Sequence, residues 1–208
     1  MISEQYQFLF VHIPKTAGNA MQGVLLNYSE DLMVVSGGKD GVHRYGIQSA
    51  FGTEKHSTLA DYHAALGDRA FWSKTRIACI RNPWDRAISF YFSPHRGRAQ
   101  WKRQAFIELL DELLPMVHYL RLPQDPPGPI AGRNLHYLIR FEHLQADFDQ
   151  VCKALGIGPH RLPIRNSSAR AAYREYYDAE LAQIVGERFA EDIEAFGYRF
   201  DEPAGSMR

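Results

Sequence analysis

Twice in the N-terminal half of this chain a short apolar run stops at a proline-containing loop that carries a basic residue, then restarts as a helix. The run Tyr6–Ile13 ends at Pro14; Lys15-Thr16-Ala17-Gly18 follows, and Asn19–Leu26 then shows helical spacing at Met21, Val24 and Leu25. The run Thr75–Ile80 leads into Arg81-Asn82-Pro83 and then into Trp84–Phe92, with Pro83 at the first helical turn, where its missing N–H costs nothing. A third strand, Tyr137–Phe141, precedes a helix over Gln145–Leu155 that places Phe148, Val151 and Leu155 on one side and stops at Gly156. Strands that alternate with helices pair in parallel and need helices over the sheet, so an α/β fold is expected.

Between these units, Gly37–Gly52 reads as a polar excursion and Thr58–Leu66 as a short helix. Phe106–Tyr119 and Ala179–Phe196 each carry the apolar spacing of one continuous helix, and the proline-rich stretch Leu122–Gly132 reads as a loop or lid. Trp84 and Trp72 are expected in the core. A length of 208 residues fits a single domain over 1–208, and 45% hydrophobic residues are enough to build its core.

Several function classes fall away on composition. No apolar run is long enough to span a membrane, and Met1–Gln5 lacks the basic start of a signal peptide. Cys79 and Cys152 have neither zinc-site nor disulfide spacing, and Cys79 reads as a small core hydrophobe. The 24 Lys plus Arg balance the 24 Asp plus Glu, which argues against a nucleic-acid coat. The balance is uneven along the chain. Residues 69–103 hold nine Lys plus Arg and one acid, whereas residues 171–202 hold nine acids and three arginines.

The two loops carry the chemistry. A strand delivering its end to a Gly-containing turn and a helix start is an anion site, with Lys15 supplying a full charge and Gly18 permitting close backbone approach. It is not a Walker motif, because the lysine precedes the tight turn. At the second loop, Arg81 at a strand end and Ser89, eight residues on, can grip one phosphate. The alternative there is a salt-bridged cap in which Asp85 pairs an arginine. Two such loops on two units point to a ligand with two separated phosphates.

The segments Phe10–Gly18 and Ile80–Tyr91 together resemble the paired signatures of carbohydrate sulfotransferases, in the branch of heparan and chondroitin sulfotransferases and their bacterial relatives. The resemblance continues at Arg140–Phe148, Asn166-Ser167-Ser168, Tyr176-Tyr177-Asp178 and Asp192–Tyr198. It implies a P-loop-like three-layer fold, a small central parallel sheet flanked by helices, that binds the co-substrate 3′-phosphoadenosine 5′-phosphosulfate. Carried over from the resemblance, Lys15, Thr16, Ala17, Gly18, Asn19 and Ala20 hold the 5′-phosphosulfate, and Arg81 and Ser89 hold the 3′-phosphate. Family members often have Thr-Ser where this chain has Asn19-Ala20, so weaker donor binding is expected. Asn19 is read as a helix N-cap.

Lys15 is the expected stabiliser of the leaving oxygen, and His56 the expected general base. His63, His43, Glu30 and Glu54 remain alternatives, while His12 is assigned a structural role. No metal is expected. The acceptor, a glycan or a small hydroxylated molecule, is expected among Val42–Lys55, Ser93–Arg103 and Leu122–Gly132, with Trp101 stacking on a sugar or buried. A P-loop-type nucleotide kinase and a non-catalytic phosphate-binding module are the competing classes. A first strand within ten residues of Met1 leads to an expected cytoplasmic bacterial enzyme.

Overall fold

The computed structural model describes residues 1–35, 45–49, 51–93, 96, 100–130, 132–163 and 170–201. His43, His95, Arg98 and the Asn166–Ser168 motif lie outside them. Strands in chain order are β1 (Ile2–Ser3), β2 (Phe8–Val11), β3 (Leu32–Val35), β4 (Tyr45–Gln48), β5 (Thr75–Ile80) and β6 (Tyr137–Arg140). Helices are α1 (Gly18–Leu25), α2 (Leu59–Ser73), α3 (Pro83–Tyr91), α4 (Arg103–Leu109), α5 (Met116–Leu120), α6 (Leu144–Leu155), α7 (Ala179–Arg188) and α8 (Ala190–Phe196).

The α/β expectation holds. A four-stranded sheet runs in the order β1-β2-β5-β6, with β2, β5 and β6 parallel and β1 antiparallel at one edge. β2 is apolar throughout because it is buried on both sides. Phe8 and Phe10 pack with Met21 and Leu25 of α1 and Phe148 and Val151 of α6. Leu9 and Val11 point the other way, into a core shared with Leu59, Tyr62, Trp84 and Ile88. Each of these side chains contributes about 1.5–3 kcal/mol by burial, so neither face of β2 tolerates a polar residue. Cys79 belongs to the α1/α6 face, and burial pushes its thiol well above the usual range, as befits a core residue.

Local signals explain the ends of most elements. Asn82 caps α3 by accepting from the Trp84 and Asp85 amides, with Pro83 at the first position. Thr58 and Asp61 form a capping box at α2, and Gly156 ends α6 at a φ of 68°.

Four expectations are corrected. The helix read over Phe106–Tyr119 is two, because Pro115 lacks an N–H and its predecessor avoids helical geometry; α5 restarts at Met116. The helix read over Ala179–Phe196 breaks at Phe189 (φ −115°, ψ 29°), which buries its ring at the joint. The helix read over Thr58–Leu66 continues to Ser73 through a kink at Gly67, whose φ of 71° suits glycine. Trp72 is not core but 45% exposed, since it falls on the outer side of α2. Within the stretch read as a polar excursion, β4 pairs with β3 as a separate antiparallel hairpin.

Candidate active site

β2 and β5 are parallel neighbours with Val11 opposite Ala78, so the loops that follow them leave the sheet at the same end, the C-terminal end of both strands. The first loop is built by what holds its carbonyls. His56 Nδ1 donates to the His12 oxygen at 2.8 Å, and Thr16 Oγ1 to the Ile13 oxygen at 2.9 Å. Arg86 Nε donates to the Pro14 oxygen at 3.0 Å, and Arg81 Nη1 to the Lys15 oxygen at 3.1 Å. Four consecutive carbonyls are thus occupied by side chains. A trans peptide points its N–H opposite to its C=O, so the Lys15 and Thr16 amides are turned away from the two arginines.

Lys15 and Ala17 both lie in the left-handed region, at φ 70° and 67°. Side chains reach this region only at a cost of about 1–3 kcal/mol, supplied here by the surrounding bonds. Ala17, not Asn19, is the N-cap residue of α1; Asn19 falls inside the first turn, because the helix begins at Gly18. Thr16 is fully buried with its hydroxyl directed inward, and Ala20 is buried as well. Gly18 owes its identity to a neighbour. A Cβ there would sit 2.0 Å from His12 Cδ2. The His12 ring fills the space beneath the turn, with Nδ1 2.7 Å from Gln22 Oε1, and burial followed by the charges of His56 and Lys55 keeps it neutral.

At the second loop Arg81 makes the salt bridge to Asp85 that the sequence offered as the alternative to a phosphate grip. Its Nε and Nη2 each lie 2.8 Å from Asp85 Oδ2, so the fork is engaged by a carboxylate, and the guanidinium lies over the Phe141 ring. Arg170, missed in the sequence, reaches the other Asp85 oxygen at 2.5 Å. Burial pushes the Asp85 carboxyl up, but the two arginines outweigh it and hold it below the usual range. Ser89 stands one helical turn beyond Asp85 and is partly exposed. Lys15 Nζ donates to Ser93 Oγ, just past the end of α3, at 2.9 Å.

Arg86 is fully buried. Besides Pro14 it bonds the Leu114 oxygen at 2.9 Å, a carbonyl released by the break before α5. Burial lowers its pKa to about 10 despite the nearby Asp192. Asp192 itself caps α5 through the Met116 and Val117 amides.

His56 is solvent-exposed on one side, yet its ring packs edge-on against His12 with centroids 4.6 Å apart. Because Nδ1 faces a carbonyl, which only accepts, it carries the proton, and Nε2 keeps its lone pair. Desolvation, then Lys55 and Arg86, lowers its pKa below the ordinary 6.5. Two of the alternatives are engaged elsewhere. Glu30 accepts from the Glu4 and Gln5 amides, and His63 bonds Asp68 on α2. Glu54 is exposed and shares with His56 an open cleft of about 590 Å³, also lined by Thr53, Ser57 and Asp61.

The basic stretch around Trp101 is largely spent on packing. Trp101 lies among Tyr91, Phe106 and Tyr176 at 4.9–5.1 Å between ring centres. Arg96 pairs with Glu112, and Arg103 with Asp178 and Glu180. Among the described residues, no cluster of three or more His, Cys, Asp or Glu is placed to hold a metal, and no helix is long and apolar enough to cross a membrane.

A search of curated proteins finds no match to this chain. A sequence model described as the sulfotransferase family does match, over residues 1–199, and so takes in both loops, α3 and the strand ends that carry them. The chain belongs to the sulfotransferase family.

Proposed function

We propose that this protein transfers a sulfuryl group from 3′-phosphoadenosine 5′-phosphosulfate to an acceptor hydroxyl, with a carbohydrate as the acceptor class. The observation that carries the reading is convergence. Lys15, Arg81 and His56 come from three separate segments, and His56 and Arg81 both donate to carbonyls of the His12–Lys15 loop that carries the lysine.

In this reading Lys15 and the amides of residues 15–20 hold the 5′-phosphosulfate. Arg81 and Ser89, helped by Arg170, hold the 3′-phosphate. Arg81 carries five N–H groups and, among the described residues, spends three on Asp85 and the Lys15 carbonyl, which leaves two for a phosphate. The acceptor oxygen attacks sulfur as its proton passes to His56 Nε2. The bond from sulfur to the bridging oxygen breaks, and the Lys15 ammonium stabilises the charge left on that oxygen. The product is adenosine 3′,5′-bisphosphate. The cleft beside His56 offers the acceptor an approach, and its hydroxyl and carboxylate lining suits the hydroxyls of a sugar.

The test is turnover with ³⁵S-labelled donor across a panel of neutral and anionic oligosaccharides, in excess chelator. Release of the bisphosphate together with labelled acceptor supports the reading. Donor binding without turnover on any acceptor, or phosphoryl transfer from ATP–Mg²⁺, would replace it.

A further inference from the structure

Lys15 is flanked by two peptide groups, and the second motif grips both. The Pro14 carbonyl, on the N-terminal side of the Lys15 Cα, accepts from Arg86 Nε at 3.0 Å. The Lys15 carbonyl, on its C-terminal side, accepts from Arg81 Nη1 at 3.1 Å. Fixing the two peptide planes around one Cα fixes its φ and ψ, because the backbone has no other soft rotation there. The conformation so fixed, φ 70°, is one that a lysine does not adopt unaided. It sets the direction in which the Lys15 side chain leaves the loop.

The two arginines are not equivalent. Arg81 keeps 7% exposure, through which a ligand could reach it, whereas Arg86 is 0% exposed and has no route to one. Its second anchor, the Leu114 carbonyl at 2.9 Å, belongs to the break before α5, a segment remote in sequence from both loops. That carbonyl and the Asp192-capped start of α5 make a fixed post, and the planar guanidinium transmits its position to Pro14. A buried cation also needs a reason to exist. The nearby Asp192 carboxylate spends its hydrogen bonds on the Met116 and Val117 amides, so Arg86 donates to backbone carbonyls on two segments.

We infer that Arg86 is a positioning residue for Lys15: it braces the Pro14–Lys15 peptide against the start of α5 and so aims the lysine without touching substrate. The inference rests on the proposed sulfuryl transfer for its kinetic consequence, but the conformation of Lys15 is measurable without any reaction.

The experiment uses Arg86→Lys, which keeps the charge and replaces the fork with a single ammonium, and Arg86→Met as a second variant. Two readouts are taken on folded protein. In the first, the ¹³Cα and ¹³Cβ shifts of Lys15, which report φ, leave the left-handed range in Arg86→Lys, while the β2 and β6 signals stay in place. In the second, kcat for donor turnover falls about 100-fold, as a displacement of about 1 Å at a reacting group costs, and the affinity for adenosine 3′,5′-bisphosphate changes less than threefold. Combining Arg86→Lys with Lys15→Met adds no further loss, since the brace has nothing left to aim. Unmoved Lys15 shifts would overturn the inference, as would losses that multiply in the double variant, the mark of a general structural role. Moved shifts in a protein whose wild type lacks sulfuryl transfer would uphold the brace and remove the proposed reaction.

Discussion

Lys15 Nζ donates to Ser93 Oγ at 2.9 Å, tying the end of the first loop's only full charge to the far end of α3. A hydrogen bond to a charged group contributes about 1.5–3 kcal/mol, and 1.4 kcal/mol is a tenfold change in rate. Ser93→Ala is therefore expected to lower kcat for donor turnover about tenfold, with steady-state kinetics as the check. A tighter donor KM with unchanged kcat would mean instead that Ser93 competes with the donor for the ammonium.

As the proposed general base, His56 is expected to set the pH profile. Its pKa is lowered by desolvation and by Lys55 and Arg86, with the His12 carbonyl bond opposing them. The base form is the neutral one, so activity is lost as pH falls through a pKa below 6.5 and is full above it. The acid limb of kcat/KM should lie below the ordinary imidazole value. His56→Ala should remove that limb and lower kcat by about 10²–10⁴-fold. An intact limb in the variant would transfer the role to another group.

Gly18→Ala tests the packing of the loop. The added methyl would meet the His12 ring at 2.0 Å, and that ring is buried and held by Gln22. Overpacking of this kind costs about 1–3 kcal/mol, so the urea midpoint should fall accordingly. His12→Ala in the same chain should relieve part of the loss, because it removes the atoms that clash.

Asp85 holds two arginines, and removing its charge leaves buried Arg81 and partly buried Arg170 without their carboxylate. Asp85→Asn is expected to cost about 3 kcal/mol of stability at neutral pH. Since the folded-state pKa of Asp85 is lowered, its contribution is present above the unfolded carboxylate value and disappears as pH falls through the folded one. Wild type and variant should therefore converge in stability under acid, as read by denaturant melts across that range.

The strand-to-helix units are legible in the sequence because they depend on neighbours: Asn82 and Pro83 cap and start α3 within the same few residues. The break at Pro115 carries a local signal too, but the apolar spacing on either side of it continues in phase and hides it. Phe189 breaks a helix with no proline nearby, and Gly186, three residues earlier, stays within α7; the ring of Phe189 is buried at the joint. Within the candidate site, Lys15 and Arg81 stand out as charges beside turns. Arg86 does not, since it sits in mid-helix and its partner Pro14 is 72 residues away. Nor does Ser93, 78 residues from Lys15. Gly18 is visible as a glycine, but the ring that requires it lies back at the strand end and across the turn.

The occupied carbonyls of His12–Lys15 settle when the cost of ordering this loop is met. A glycine-rich anion loop that is floppy when empty loses conformational entropy each time a ligand arrives, and its affinity is reduced by that amount. Here the ordering is completed during folding, by donors from the second loop and α3, from the segment before α2 and from the loop itself. In the proposed reaction an arriving anion would meet dipoles already oriented, and the entropy of the loop would be charged to the stability of the native state instead of to each turnover.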